Sequence, residues 1–138
     1  MAVGIRFPFF RWQESVYGTS YIPITREIGY LLSGVIKWTT PSGGINPTAM
    51  GTVVWIAGLV FLLAAVAMVI SWHLLGKSGH ARYAGPLLVI TGVLFLAWGM
   101  VQYGPLLYGP SGYAIPVGVP ILWYCGWQFM KAGKAAAE

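Results

Sequence analysis

Charge is scarce in this chain, and its absence is regional. No Asp, Glu, Lys, Arg or His occurs in residues 39–71 or 84–129, and the eight basic residues and three Glu lie outside those two segments. A water-exposed domain spreads charge over its whole surface, so this segregation favours segments surrounded by lipid. Only 8% of the residues are charged and 57% are hydrophobic, whereas about a quarter are charged in a typical soluble domain. We therefore expect an integral membrane protein.

Other absences exclude most catalytic and metal-binding chemistry. The chain has no Asp, its only acidic residues are Glu14, Glu27 and Glu138, and Cys125 is its only cysteine. No paired carboxylates for acid–base catalysis, no intrachain disulfide and no zinc-binding cysteine cluster can be formed from this set. The few basic residues are dispersed, which argues against a nucleic-acid partner. We expect no enzymatic activity, no metal and no cofactor.

Three apolar segments are long enough to suggest membrane spans, at about 50–72, 83–103 and 113–130. The first has 23 residues, which as a helix extend about 35 Å, against a hydrocarbon layer of about 30 Å. Asn46 is suited to an N-cap, Pro47 to the first helical position and Gly76 to a helix stop. In the third segment Pro116 and Pro120 predict an irregular first half.

The N-terminal third has a different pattern, which predicts an amphipathic helix at about 25–38. Its apolar stripe leaves Arg26 and Glu27 on the opposite face. The positions of the stripe are Ile28, Leu31, Leu32, Val35 and Ile36. The uncharged run is too short to cross a bilayer, so the helix is expected to lie in the interface plane.

The predicted fold is thus an all-α integral membrane protein with three transmembrane helices. It forms a single membrane domain over residues 1–138, with an N-terminal arm (1–45) followed by the transmembrane helices (46–138). The alternative is four transmembrane helices, in which a crossing that starts near Ile22 buries Arg26 and Glu27.

The charges that flank the spans predict an orientation. Lys77 and Arg82 follow the first span, and Lys131 and Lys134 follow the third. The positive-inside rule then places loop 73–82 and the C-terminus in the cytoplasm, in the plasma or inner membrane of a prokaryote. The basic residues of the N-terminal arm conflict with this orientation if the arm stays outside.

Small residues recur along two of the spans at seven-residue spacing, which is nearly two helical turns. Such seams let another helix approach closely, and packing of this kind drives helix association in lipid. The predicted helix-packing interface comprises Gly85, Gly92, Gly99, Gly51, Gly58 and Ala65. The seam of the second span is expected to face the first span or a separate subunit, and replacing Gly92 by Leu is expected to weaken assembly.

The function that fits these features best is a non-catalytic accessory or structural subunit of a larger membrane complex, such as a respiratory or other electron-transfer assembly. Its expected partners are other membrane subunits and membrane lipids. One alternative is a self-associating structural membrane protein of a virion or envelope, and another is a small oligomeric transporter or pore. His73 and His80 are expected to lie at the membrane interface, and Thr91 to bond to its own helix backbone.

Overall fold

The N-terminal residues form β-strands. The computed structural model describes residues 3–6, 9–76, 79–109 and 112–137, so Lys77 and Glu138 lie outside the described residues. Strands β1 (Val3–Arg6), β2 (Phe10–Ser15) and β3 (Gly18–Pro23) pair antiparallel in sequence order. Aromatic and β-branched residues favour this pleated arrangement, and the rings of Phe10 and Tyr21 meet across the β2–β3 pair with centroids 5.0 Å apart.

A short helix, α1 (Ile24–Leu32), follows β3 directly. The Ile24 amide donates to the Phe9 carbonyl at 2.8 Å, which joins the start of the helix to the sheet. The helix ends well before the predicted residue 38, since Gly34 adopts a left-handed φ of 76°. Residues 33–46 then form a turn-rich segment in which Asn46 Nδ2 donates to the Lys37 carbonyl at 2.7 Å.

Two long helices follow, α2 (Pro47–Leu75) and α3 (Gly79–Tyr103). The predicted ends of α2 are confirmed: the Asn46 side chain accepts a hydrogen bond from the Thr48 amide, Pro47 is at the first position, and Gly76 caps the C-terminus with φ 64°. Helix α3 begins earlier than predicted, so Pro86 lies inside the helix. Among the described residues, these two helices are long and apolar enough to cross a membrane.

The C-terminal part returns to the sheet before it becomes helical. Strands β4 (Tyr108–Gly109) and β5 (Gly112–Ile115) precede helix α4 (Gly118–Ala137). Strand β5 pairs parallel with β1, which gives a five-stranded sheet of order β3-β2-β1-β5-β4. The sheet and α1 adjoin the end of the bundle where α2 begins and α3 finishes. The segment that precedes α2 and the segment that follows α3 meet there.

The prediction of an all-α protein with three spans is therefore wrong, since the chain is mixed α/β. In the third predicted span, residues 113–115 belong to β5 and the helix starts only at Gly118. Between Gly118 and Lys131 the uncharged helix is about 20 Å long, short of the roughly 30 Å of hydrocarbon. The four-span alternative is also wrong, because α1 has only nine residues.

The core lies where α1 packs against the bundle. Trp55 of α2 and Trp98 of α3 are almost completely buried, and their rings stack with centroids 4.4 Å apart at an angle of 13°. Ile24 of α1 completes this cluster. The aromatic stack thus joins both long helices to the helix that carries the sheet.

Candidate functional sites

Gly51 and Gly58 of α2 face α3. Gly51, Gly58 and Ala65 are all buried. A Cβ added at Gly58 would lie 2.7 Å from Phe95 Cε1, and one at Gly51 would lie 3.1 Å from Gln102 Cγ. Real Cβ atoms do not approach other atoms as closely as the first of these distances, so glycine at position 58 permits the spacing of the two helices.

Gly85 and Gly92 of α3 face α4, which is neither the first span nor a separate subunit. A Cβ at Gly85 would lie 2.8 Å from the Gly126 carbonyl oxygen, and one at Gly92 would lie 2.5 Å from Trp123 Nε1. Gly99 is buried as well. Gly85 and Gly92 thus pack within this chain, and replacing Gly92 by Leu would separate α3 from α4 before it affected any other subunit. Whether another subunit also contacts the predicted helix-packing interface is not tested by this packing, and such a contact stays a prediction.

A buried ion pair lies between the sheet, α1 and α2. The Glu27 side chain is 1% exposed, and its Oε1 lies 2.6 Å from Arg11 Nη2 of β2. Thr52 Oγ1 lies 3.0 Å from Glu27 Oε2 and 2.9 Å from the Thr48 carbonyl, so its single proton is shared between two acceptors. The guanidinium supplies the opposite charge that a buried carboxylate requires.

The burial of Glu27 corrects its predicted position on the polar face of the amphipathic helix. Ile24, Glu27 and Leu31 are the buried residues of α1. They occur at i, i+3 and i+7, which is one face of a helix. The helical spacing alone could therefore have shown that this carboxylate shares the apolar face.

A polar cavity of about 450 Å³ lies beside this ion pair, at the junction of sheet and bundle. Arg11 and Gln13 line it from the sheet, and its other walls come from the start of α2 and the end of α3. The lining residues are Arg11, Gln13, Pro47, Thr48, Val101, Gln102 and Tyr103. The cavity can hold water or a small polar molecule, and Arg11 is already bound to Glu27.

A second cavity, of about 440 Å³, lies at the opposite end of the bundle in a groove between α3 and α4. We call it the α3–α4 groove. Its walls combine three basic side chains with aromatic and apolar ones. The lining residues are Arg82, Tyr83, Pro86, Trp127, Met130, Lys131 and Lys134. Lys131 Nζ lies 5.7 Å from the centroid of the Trp127 ring, within the range of a cation–π interaction.

The remaining candidate residues do not assemble a reactive centre. His73 is exposed in the last turn of α2, and His80 is half-buried in the first turn of α3. Thr91 donates to the Leu87 carbonyl at 2.8 Å, which confirms its predicted bond to its own helix. Cys125 is half-buried and unpaired. Among the described residues, no three His, Cys, Asp or Glu side chains are placed to hold a metal ion.

Comparison with known proteins adds no relative. No family model matches the chain, and no match was found among curated proteins or solved structures.

Proposed function

We propose that this protein is a non-catalytic accessory subunit of a larger membrane complex, anchored by α2 and α3. The observation that carries the proposal is the exposure of their apolar surface. In the most apolar 18-residue stretch of α2 only 17% is buried, and in the corresponding stretch of α3 only 39% is buried. The core helix of a soluble protein is mostly buried, so these helices need either lipid or other protein around them.

The apolar side chains of α2 are exposed along its length and on more than one side. The large ones that are exposed are Met50, Val53, Val60, Leu63, Val66, Ile70, Leu74 and Leu75. A single docking partner covers one stripe of a helix, whereas lipid covers every side that the bundle leaves open. Helix α2 has 29 residues and is about 44 Å long, more than the roughly 30 Å of hydrocarbon.

The sheet end supports a protein partner. Val16 and Tyr17, in the turn between β2 and β3, are 84% and 101% exposed, and Leu106 is 87% exposed. Leu106 follows the end of α3, and Val16 and Tyr17 belong to the sheet that adjoins the same end of the bundle, so these residues are not part of the helices that lipid would surround. A neighbouring subunit that covers this apolar surface would remove the unfavourable free energy of its exposure to water.

A non-catalytic role is supported by the positions and partners of the carboxylates. Within the described residues the acidic side chains are those of Glu14 and Glu27. Glu27 is bound by Arg11 and Thr52, and Glu14 is exposed on β2. The two are therefore not arranged as an acid–base pair.

The proposal is tested by extraction of the native protein. We expect it to remain in the membrane pellet after alkaline carbonate washing and to copurify in mild detergent with different subunits at fixed stoichiometry. Redox cofactors in those subunits would identify the complex as an electron-transfer assembly. Recovery as a dissolved monomer without detergent contradicts the proposal, and a homogeneous homo-oligomer supports the self-associating alternative.

A matched pair of variants tests the partner surface. Val16→Ser with Tyr17→Ser is expected to lower the recovery of partner subunits by about tenfold or more, because exposed aromatic anchors dominate such interfaces. Tyr30→Ser with Val35→Ser makes the same chemical change at other exposed positions, and it should leave recovery unchanged. Equal recovery for both pairs would exclude the turn as a docking site.

A further inference from the structure

We infer that the α3–α4 groove binds the headgroup of an anionic phospholipid, a specific lipid site within the proposed membrane anchor. This inference rests on the proposed function. Its first support is charge, since Arg82, Lys131 and Lys134 all line one cavity. No Asp or Glu occurs between Glu27 and Glu138, and the ion pair seen among the described residues is the distant one of Arg11 with Glu27.

The groove is built by close contact of the two helix backbones. A Cβ at Gly126 would lie 2.9 Å from the Gly85 carbonyl oxygen, and one at Gly133 would lie 2.9 Å from Arg82 Cα. Because glycines let the helices touch here, the larger side chains beside the contact are held close together. Trp127, Lys131 and Lys134 follow at i, i+4 and i+7, so α4 presents them on one face.

The apolar part of the groove distinguishes a lipid from free phosphate. Met130 is half-buried, while Tyr83, Pro86 and Trp127 line the same cavity and are exposed. Ile90, four residues after Pro86 on α3, is 41% exposed and extends this surface toward the middle of the helix. A ligand with an anionic head and a hydrocarbon tail meets both kinds of surface, and basic pockets between membrane helices bind such headgroups.

Native mass spectrometry of the detergent-purified full chain tests the site. The probes are dioleoyl phosphatidylglycerol and dioleoyl phosphatidylcholine, titrated separately. We expect the parent chain to retain phosphatidylglycerol preferentially. Arg82→Gln with Lys131→Gln should reduce this preference by about 25-fold, because each basic residue near a lipid headgroup contributes about fivefold. The control, Arg26→Gln with Lys37→Gln, removes the same residue types near α1 and should change it less than about twofold.

Four outcomes overturn the inference. One is an equal preference in the groove variant and the control. Another is displacement of phosphatidylglycerol by inorganic phosphate at the same concentration, which would identify a free-phosphate site. A third is a chain that resists carbonate washing but has no lipid preference, which would reject the lipid site and leave the proposed function standing. A chain released by carbonate overturns the proposed function together with the inference.

Discussion

At the scale of single residues, Glu27 is the side chain whose surroundings differ most from those expected. A carboxylate that is 1% exposed is tolerated only with an opposite charge and hydrogen bonds nearby. Arg11 supplies the charge from β2 and Thr52 the hydroxyl from α2. Three elements that are separate along the chain therefore converge on one side chain, which fixes how the sheet and α1 sit against α2.

Replacing Glu27 by Gln is expected to destabilise the fold. It removes the negative charge but leaves the Arg11 guanidinium, which is only 20% exposed, without its ionic partner. Loss of one member of a buried pair costs about 3 kcal/mol, measured as a lower free energy of unfolding of the detergent-solubilised chain. Glu14→Gln is the matched control, because Glu14 is exposed and its change should cost less than about 0.5 kcal/mol. Equal stability of the two variants would show that the ion pair contributes nothing.

At the scale of elements, local sequence signals located the long helices but not the sheet. Asn46, Pro47 and Gly76 mark the ends of α2 within a few residues, so its boundaries could be predicted. The strands could not be assembled in this way, because β1 pairs with β5 and Val3 lies opposite Tyr113. No local sequence pattern encodes a pairing between strands that are more than 100 residues apart, as β1 and β5 are. The apolar run after residue 112 therefore looked like the start of a helix.

The α3–α4 groove could likewise be predicted from the sequence only in part. In the sequence its basic residues indicated only the membrane orientation. The spacing of Trp127, Lys131 and Lys134 places them on one face of a helix, which was available from the sequence. That Arg82 and Tyr83 of another helix join them depends on the glycine contacts of α3 with α4.

Those contacts predict that a single methyl group disrupts the packing of α3 on α4. In Gly85→Ala the new Cβ would lie 2.8 Å from the Gly126 carbonyl oxygen and 2.9 Å from the Met130 amide nitrogen, both backbone atoms that cannot rotate away. We expect a loss of about 1–3 kcal/mol in unfolding free energy. Gly79→Ala is the control in the same helix, since a Cβ there meets nothing within 4 Å. A Gly85→Ala variant as stable as this control would contradict the close approach.

At the scale of the whole molecule, the two ends of the bundle differ in architecture and charge. One end carries the sheet, α1 and the ion pair of Arg11 with Glu27. The other carries Arg82, Lys131 and Lys134 around the α3–α4 groove. Glu27 pairs with Arg11 at the sheet end, but acidic residues count little in the positive-inside rule, so the conflict posed by the basic residues of the N-terminal arm remains. The groove end then carries the basic residues that favour the cytoplasm.

This arrangement predicts opposite exposure of the two ends in cells. In a Cys125→Ser background, Ser42→Cys places a thiol on the exposed segment before α2, and Leu75→Cys places one at its far end, where Leu75 is 65% exposed. A membrane-impermeant maleimide should label Ser42→Cys in intact cells but Leu75→Cys only after permeabilisation, because basic flanks stay cytoplasmic. The reverse pattern would invert the orientation. Labelling of both positions in intact cells, or of neither, would place both ends on one side of the membrane and exclude α2 as a spanning helix.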